Sequence, residues 1–460
     1  MAATDCDKMV KAVIDRYRER TRQSKQYDAQ AKKHLPGGDT RAVTYYMPYP
    51  AYMVKGEGCR LHDCDGNEYI DFINNFTSLI HGHAHPAIVA AAREQLSKGS
   101  VLGSPAVVQS EHARLLCERI PGMDQVRYCN SGTEATLHVM RAARAFAGKD
   151  VIVKMDGGYH GSHDAAEVNI TPDLWSSTGL PTTHLDAQGV PASVLGDIMV
   201  VPFNDLEAAE TVLKENKDRI AAIIMEPMLG SLGMVPPQPG YLEGIRELAD
   251  KYGVLLIFDE VITFRLCTGG LQARYDVKPD LTALGKLIGG GFPVGAFGGR
   301  KDIMARFDPA HPQTMMHSGT FNGNNTTMAA GVAALRAYDR SAVDTVNKLG
   351  DKLRNGFNDV FKQAGIKGQA TGMGSLVHVH WTDEDITDAK DYAMGLISAA
   401  ELPKLLHIEM MNRGIFSAFR GMFCTSTPMT DAEVDKAVEA FQNTLELLKP
   451  YAAEAAPHLV

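Results

Sequence analysis

The sequence predicts an α/β protein with a mostly parallel central sheet flanked by helices. Four short apolar runs, each bounded by polar residues or glycine, have the length and composition of buried parallel strands; they are residues 151–155, 198–201, 221–225 and 254–258. A helical stretch, Tyr241–Tyr252, precedes the last of these runs. Strands that alternate with helices in this way are typical of an α/β fold.

Composition and charge exclude several classes of protein. The 460 residues carry a formal net charge of −9 without a basic block, so nucleic acid is not expected as a ligand. No run of 18 apolar residues occurs, so no membrane span is expected, and residues 1–27 lack the apolar core of a signal peptide. The seven cysteines are sparse and show no paired CxxC spacing, which predicts reduced thiols and a cytoplasmic protein.

The regions on either side of the α/β pattern predict a smaller second unit. An amphipathic helix is predicted over residues 5–30, and the Asp65-Gly66 pair between apolar runs predicts a hairpin. After about residue 330, a strand at 375–380 and a closing helix at 431–448 give an α+β pattern. We therefore expect residues 1–80 and 331–460 to form a small α+β domain and residues 81–330 to form the large α/β domain.

A glycine-containing motif over residues 130–135 lies at a predicted strand-to-helix junction. Gly132 allows a ligand to approach the backbone, and the free N–H groups and dipole of a helix N-terminus attract an anion. The hydroxyl groups of Ser131 and Thr133 add donors. The motif therefore fits a phosphate site, although in isolation it fits a simple helix N-cap as well.

Two motifs place charged side chains in apolar surroundings. Asp259 ends an apolar strand, at the sheet edge where α/β proteins bind ligands, and could hold a cationic ring nitrogen or a metal; capping of the next helix is the alternative. Lys286 is flanked by apolar residues and glycines, and burial would lower its pKa and make the amine a nucleophile; an exposed lysine is the alternative. Leu287 stands where a P-loop requires Ser or Thr, so this segment is not a P-loop.

Two further motifs contain histidine. Tyr159 and His160 are framed by glycines, which suits stacking on a flat ring, although a turn with core aromatic residues would look the same. The His-rich segment 81–86 lacks a carboxylate or cysteine at ligand spacing, and Pro86 is expected to begin a helix. We therefore expect no metal site.

Taken together, in this order and spacing, the motifs resemble the class III aminotransferases, which are fold-type I enzymes dependent on pyridoxal 5′-phosphate (PLP). The resemblance runs from about residue 35 to the C-terminal helix. It implies that Lys286 forms the Schiff base with PLP and that Asp259 pairs with the protonated pyridine nitrogen. By the same resemblance, the phosphate group would be held by Ser131, Gly132 and Thr133.

The resemblance also implies the remaining parts of the cofactor site. Tyr159 would stack on one face of the ring with His160 beside it, and Val261 would pack on the other face. Glu226 matches a family glutamate near the cofactor. Thr320 matches the threonine that reaches the phosphate of the neighbouring subunit, which implies a homodimer.

Two branches of the family are especially similar: glutamate-1-semialdehyde 2,1-aminomutases and β-amino-acid (β-phenylalanine) aminotransferases. Both share the Pro-Gly-Gly segment at 36–38, which leads to a substrate-binding arginine, here Arg41. Two departures favour the aminotransferases: Arg420 follows Ala-Phe where the aminomutases have glutamate, and residues 321–325 replace Ser-Gly-Asn-Pro. Arg420 is thus a second candidate for carboxylate binding. Ornithine-, acetylornithine- and 4-aminobutyrate-type enzymes carry an arginine before Pro-Pro that residues 425–428 lack.

The resemblance predicts transfer of an amino group from a β- or ω-amino acid to a keto acid, 2-oxoglutarate or pyruvate. The first alternative is the aminomutase reaction, which moves the amino group within one molecule and needs no keto acid. A PLP-dependent epimerase or decarboxylase is a weaker alternative. A PLP-binding regulator would need a DNA-binding module, and no basic helix-turn-helix segment precedes Pro36. The expected partners are the two substrates and a second copy of the chain.

Overall fold

The computed structural model describes residues 5–176 and 179–460. Within them, the strands form three sheets. The strands are β1 (Met53–Glu57), β2 (Arg60–Asp63), β3 (Glu68–Asp71), β4 (Gln125–Cys129), β5 (Val151–Met155), β6 (Ile198–Val201), β7 (Ile220–Met225), β8 (Leu255–Asp259), β9 (Leu281–Gly285), β10 (Gly295–Gly299), β11 (Gln369–Met373), β12 (Leu376–His380), β13 (Ile415–Phe416) and β14 (Met422–Cys424).

The helices surround these sheets. They are α1 (Asp5–Arg20), α2 (Arg22–Ala31), α3 (Asn74–Thr77), α4 (Pro86–Ser97), α5 (Val107–Arg119), α6 (Gly132–Ala147), α7 (Leu206–Asn216), α8 (Tyr241–Tyr252), α9 (Gly270–Tyr275), α10 (Lys301–Met304), α11 (Asn325–Ala337), α12 (Arg340–Ala364), α13 (Ala389–Ser398), α14 (Leu402–Asn412) and α15 (Asp431–Ala455). None of those within the described ranges combines the length and apolar character that a membrane span requires.

The largest sheet has seven strands in the order β4-β10-β9-β8-β7-β5-β6. Its recorded pairings are parallel except those of β10, which runs antiparallel to both β4 and β9. The predicted α/β class with a mostly parallel sheet is therefore confirmed. The antiparallel strand is rich in glycine and small residues, so its sequence does not have the apolar pattern by which the other strands were predicted.

The central strands of this sheet are buried on both faces, which explains their continuous apolar sequences. Every residue of β7, β8 and β9 is buried. Helix α6 covers one face, where Val139 and Ala143 pack with Ile224 and Ile257 of the strands. Tyr241 and Ile245 of α8 pack on the other side of the sheet, in a second apolar cluster.

The parallel strands all end at the same edge of the large sheet. Strand β4 leads into the N-terminus of α6, and the carboxyl ends of β7, β8 and β9 lie side by side because these strands are neighbours. Ligands of open α/β sheets bind outside the carboxyl ends of the strands. The topology therefore brings the predicted motifs, which are far apart in sequence, to one place.

The second sheet contains the predicted meander. Strands β2 and β3 pair in antiparallel fashion across Asp65-Gly66, as the hairpin prediction required. Strand β13 pairs with β3 in parallel, so Ile415–Phe416 joins the N-terminal meander. The third sheet has the order β11-β12-β14. The division into domains at residues 80 and 330 stays a prediction.

The single helix predicted over residues 5–30 was wrong, because the structure has two helices that meet at Thr21. The Thr21 backbone has φ −124° and ψ 43°, and its hydroxyl donates to the carbonyl oxygen of Tyr17 at 2.6 Å. The carboxylate of Asp65, in the hairpin turn, accepts hydrogen bonds from the backbone N–H groups of Gln23 and Ser24. The Asp65 carboxylate therefore caps the N-terminus of α2, and the helix is interrupted at Thr21. The periodicity of residues 5–30 cannot reveal a cap that comes from a distant hairpin.

Candidate active site

A cavity of about 370 Å³ lies at the carboxyl edge of the large sheet. Its walls contain eight of the residues that the sequence singled out: Gly132, Thr133, Tyr159, His160, Glu226, Asp259, Val261 and Lys286. These residues come from segments that follow β4, β5, β7, β8 and β9. The structure therefore brings most of the predicted site residues together, and we refer to this space as the lysine cavity.

One end of the lysine cavity is formed by the N-terminus of α6. The first helical residues, Gly132 and Thr133, have backbone N–H groups that no earlier helical carbonyl can accept. A Cβ added at Gly132 would lie 3.2 Å from Cγ1 of Val261, so glycine keeps the approach open. Ser131 is the N-cap, and its hydroxyl oxygen accepts the N–H of Glu134 at 3.1 Å. The helix start is suited to an anion.

Asp259 provides a buried carboxylate at the other end of the cavity. One of its oxygens, Oδ1, accepts the backbone N–H of Val261 at 3.1 Å, and Oδ2 lies 2.9 Å from Nδ1 of His160. Burial lowers the pKa of His160 more than Asp259 raises it, so the imidazole is neutral and donates its Nδ1 proton to the carboxylate. Asp259 is thus held in one orientation. The Nε2 atom of His160 is buried and has no partner among the described protein atoms.

Glu226 is a second buried acid in the same cavity. Its two oxygens accept backbone N–H groups of Tyr159 and Gly230, each at 3.1 Å. Burial, reinforced by the nearby charge of Asp259, raises the pKa of Glu226 to about 8. Near neutral pH the carboxyl group of Glu226 therefore keeps its proton, and Asp259 supplies the negative charge of the cavity.

Lys286 faces these acids from the end of β9. Its backbone has φ +49°, in the left-handed region that non-glycine residues seldom adopt. Burial lowers the pKa of the Lys286 amine, and the carboxyl groups of Asp259 and Glu226 partly offset that shift. A lower pKa increases the fraction of neutral amine, which is the form that attacks carbonyl groups and accepts protons.

Sequence reasoning missed one wall of the cavity, which is formed by Asn75 and Ser78 in and after α3. Asn75 also lines a second cavity of about 370 Å³, which we call the apolar cavity. The side chains of the apolar cavity include Tyr46, Met53, Phe76, Phe416 and Phe419. The Asn74-Asn75 pair is a turn signal that could have drawn attention to this segment.

The predicted substrate-binding arginines lie at different distances from the lysine cavity. Arg41 lines the apolar cavity, and its Nη1 donates to Oδ1 of Asn75 at 2.7 Å. Asn75 also lines the lysine cavity, so a single residue separates Arg41 from that cavity. Arg420 is exposed and lines neither cavity; its guanidinium lies 5.3 Å from the ring centre of Phe419, which does line the apolar cavity.

Thr320 is exposed and does not line the lysine cavity of its own chain. Large apolar side chains on either side of it, Met316 and Phe321, are 83% and 59% exposed. The contribution expected of Thr320 therefore requires a second copy of the chain.

The chemistry of the lysine cavity fits PLP. The helix start suits the phosphate, the buried carboxylate of Asp259 suits a protonated ring nitrogen, and the amine of Lys286 lies in the same wall. The ring of Tyr159, which is 38% exposed, and the methyl groups of Val261 offer flat and apolar contacts. Within the described residues, no cluster of His, Cys, Asp or Glu has the arrangement of a metal site.

Comparisons with known proteins agree with the residues of the cavity. The family described as Aminotransferase class-III matches residues 42–445. Glutamate-1-semialdehyde 2,1-aminomutase 2 of Brevibacillus brevis is 39% identical over 425 residues, which cover 91% of this chain and 96% of the relative. Beta-phenylalanine transaminase of Variovorax paradoxus is 38% identical over 434 residues, which cover 93% and 94%.

Comparison of the fold with solved structures identifies transaminases as well. The crystal structure of an omega-transaminase from Sphaerobacter thermophilus superposes with a TM-score of 0.90 at 42% identity, and the match covers 94% of this chain and 99% of that one. A match this complete extends over both the large sheet and the smaller sheets. The chain belongs to the class-III aminotransferases, a family of PLP-dependent enzymes with the fold-type I architecture.

Proposed function

We propose that this enzyme transfers an amino group from a β- or ω-amino acid to a keto acid, 2-oxoglutarate or pyruvate. The observation that carries the proposal is the position of Arg41, which lines the apolar cavity and donates a hydrogen bond to Asn75, a residue of both cavities. A guanidinium there can bind a substrate carboxylate through two hydrogen bonds, while the apolar cavity takes a side chain. The names of the relatives from Variovorax and Sphaerobacter support the same substrate class.

We assign the roles within the lysine cavity as follows. Ser131, Gly132 and Thr133 would hold the phosphate group, and the Asp259 carboxylate, oriented by His160, would pair with the ring nitrogen. Tyr159 and Val261 would provide packing for the ring, and protonated Glu226 would add no charge to the site. When bound, PLP supplies a carbonyl carbon that accepts the amino group and a ring that takes up electrons.

In the reaction, the Lys286 amine moves a proton. With PLP bound, Lys286 would hold the carbonyl carbon of the cofactor, and its neutral amine, once free, would accept the proton of the substrate carbon that bears nitrogen and give a proton back. Its lowered pKa suits both halves of this transfer. The Asp259 side chain is buried, and burial of the carboxylate would strengthen its interaction with the ring nitrogen.

We propose Arg41 as the principal carboxylate-binding residue and Arg420 as a second one. Arg41 is favoured because its side chain already contacts the wall of the lysine cavity. Arg420 lies outside both cavities, and its neighbour Phe419 lines the apolar cavity. Two arginines would allow donor and acceptor acids to bind in turn.

The aminomutase reaction is the second candidate function, and the 39% identity with the Brevibacillus aminomutase favours it. Product analysis separates the two. Incubation of the holoenzyme with β-phenylalanine and 2-oxoglutarate is expected to yield glutamate, detected by chromatography, and omission of the keto acid should stop the reaction after one turnover. Efficient conversion of glutamate-1-semialdehyde without any keto acid, together with failure of the β-amino acid panel, would establish the aminomutase instead.

We also propose that the enzyme is a homodimer in which Thr320 reaches the partner's phosphate site. The support is a set of four exposed apolar side chains on two segments, Leu102 and Val107 on one and Met316 and Phe321 on the other. Two hydrogen bonds join these segments into one part of the protein surface: Asn325 N–H donates to the carbonyl oxygen of Ser100, and Gln109 Nε2 donates to that of Gly323.

The dimer can be tested by charging this surface. Sedimentation of the native enzyme is expected to show at least a dimer, and Phe321→Asp should shift it toward monomer and release PLP more readily. Ile397→Asp changes an equally apolar residue, 64% exposed on α13, and should leave the assembly intact. A fully active monomer at assay concentration would contradict the proposal.

A cytoplasmic location is proposed on the basis of the thiols. Cys59, Cys64, Cys117, Cys129, Cys267 and Cys424 form no disulfide in the described structure. Unpaired cysteines in such number are typical of a reducing compartment.

A further inference from the structure

Helix α3 is a single left-handed turn. Its four residues, Asn74, Asn75, Phe76 and Thr77, have φ angles of +49°, +48°, +53° and +76°. Left-handed helical turns are costly for residues other than glycine, because Cβ approaches the following carbonyl oxygen, and consecutive residues in this region are rare. Such strain persists only where surrounding contacts impose it, and it tends to occur at functional sites.

The contacts that impose the turn come from distant parts of the chain. Asp71 Oδ1 accepts the N–H groups of Ile73 and Asn74, and Asn74 Nδ2 donates to the carbonyl oxygen of Cys424 at 2.9 Å. At the other end, the buried guanidinium of Arg265 donates to the carbonyl oxygen of Thr77 at 3.2 Å. The turn is therefore fixed by both the meander and the C-terminal region.

The fixed turn presents two side chains to Arg41. Asn75 Oδ1 accepts a hydrogen bond from Arg41 Nη1 at 2.7 Å, and the guanidinium carbon lies 5.7 Å from the centre of the Phe76 ring. Asn75 Nδ2 donates to Oγ of Ser78 at 3.0 Å, which fixes the direction of the amide. An oriented amide and an aromatic face together hold the guanidinium in one position.

Neither contact neutralises Arg41. An amide oxygen and an aromatic ring carry no formal charge, and the nearby Asp39 carboxylate accepts the backbone N–H of Arg41 at 3.3 Å rather than its guanidinium. A carboxylate in the place of the Asn75 amide could accept the same hydrogen bond but would cancel the positive charge. Because residue 75 is asparagine, the Arg41 guanidinium is oriented and keeps its positive charge for an external anion.

We propose that Asn75 is a specificity-determining residue, which orients Arg41 for the carboxylate of the substrate and makes the enzyme prefer amino acids over simple amines. This inference rests on the proposed role of Arg41 as the carboxylate-binding residue. It adds that discrimination depends on an uncharged residue within a strained turn, at the boundary of the two cavities.

The decisive variant is Asn75→Asp. Aspartate tolerates left-handed backbone about as well as asparagine, so the turn should persist. The new carboxylate keeps the hydrogen bond to Arg41 but neutralises it. The dissociation constant of the holoenzyme for 3-phenylpropanoate, measured by titration calorimetry, is expected to rise about tenfold or more, which corresponds to loss of one hydrogen bond between charged groups.

The effect on KM should likewise depend on whether the substrate has a carboxylate. In Asn75→Asp, KM for β-phenylalanine should rise in parallel, whereas KM for 1-phenylethylamine, which has no carboxylate, and the visible absorbance of the cofactor should stay unchanged. Asn355→Asp is the matched control, because it adds the same charge at an exposed position of α12. It should leave both substrates and the acid unaffected.

The outcomes separate this inference from the proposed function. Unchanged binding of 3-phenylpropanoate by Asn75→Asp, or equal losses for the acid and the amine, would overturn the role of Asn75. If Arg41→Ala also binds the acid normally, the proposed carboxylate-binding role of Arg41 fails as well. A native enzyme that transaminates β-phenylalanine but whose Asn75→Asp variant behaves as wild type would retain the proposed function and lose only the inference.

Discussion

Replacing Lys286 by alanine is expected to lower the rate of transamination by about 10²–10⁴-fold or more, the range that a positioned general base contributes. The lysine faces Asp259 and Glu226 from the end of β9, and burial lowers the pKa of its amine. Alanine cannot accept or deliver the proton. No other lysine lines the described cavity, so no neighbouring amine can take over.

Two measurements test this prediction: identification of the lysine that is linked to the cofactor, and the transamination rate of the variant. Borohydride treatment of the native holoenzyme, followed by peptide mass spectrometry, is expected to place the reduced cofactor on Lys286, and the alanine variant should carry none. Lys301→Ala is a suitable control, since Lys301 is exposed on α10 and lines no part of the lysine cavity. An alanine variant at 286 with an undiminished rate would refute the assignment.

The position of this lysine shows why much of the fold could be predicted from sequence. Strands β5 to β8 were predicted almost residue for residue, because a strand buried on both faces must be continuously apolar. The rule that parallel strands end at one edge then brings Lys286 and Asp259 together. Their chemistry follows from burial of charged groups in an apolar setting.

The parts that were missed depend on contacts between distant segments. The break at Thr21 depends on a cap from Asp65, and the antiparallel β10 has a sequence of small residues that no strand pattern distinguishes. The left-handed turn that carries Asn75 is the clearest case. Asparagine tolerates left-handed backbone, but Phe76 and Thr77 do so poorly, and contacts from Asp71, Arg265 and Cys424 impose that conformation on the turn.

The alternatives considered for single motifs were also partly right. Ser131 does cap α6 through its hydroxyl, as the simple N-cap interpretation required, yet the same helix start opens into the cavity. The two interpretations are compatible, because capping satisfies one orphan donor and leaves others free for an anion. Sequence alone could not decide this, since the decision depends on what lies opposite the helix.

The second large effect is expected from Asp259→Asn, which should lower kcat by about 10²–10³-fold, the range seen when a preorganised charged or polar group is removed from a transition state. The carboxylate keeps the ring nitrogen protonated, because an opposite charge nearby favours the charged form. The amide has no charge to do so. Burial is the larger cause of the raised pKa of Glu226 and remains in the variant, so it still disfavours the charged form that could replace the Asp259 carboxylate.

The structure also predicts a modest cost in stability for this variant. Asp259 accepts two hydrogen bonds, from the N–H of Val261 and from Nδ1 of His160, and uses a different oxygen for each. Asparagine offers one oxygen and an amino group, so either one of the two donors loses its acceptor, or the proton of His160 moves to the buried Nε2 atom, which has no partner among the described protein atoms. The free energy of unfolding is expected to fall by about 1–3 kcal/mol, the cost of one buried unsatisfied donor.

The two effects can be separated by experiment. Thermal unfolding and circular dichroism should show a folded Asp259→Asn variant, and its bound cofactor should have an altered absorbance spectrum while kcat is reduced. Asp250→Asn removes an exposed carboxylate on α8, and it should change neither the absorbance spectrum of the bound cofactor nor kcat. If the folded Asp259→Asn enzyme turned over at a near-normal rate, the negative charge that the ring nitrogen needs would have to come from elsewhere. Glu226 would then be the group to replace next, because it is the other acid in the wall of the lysine cavity.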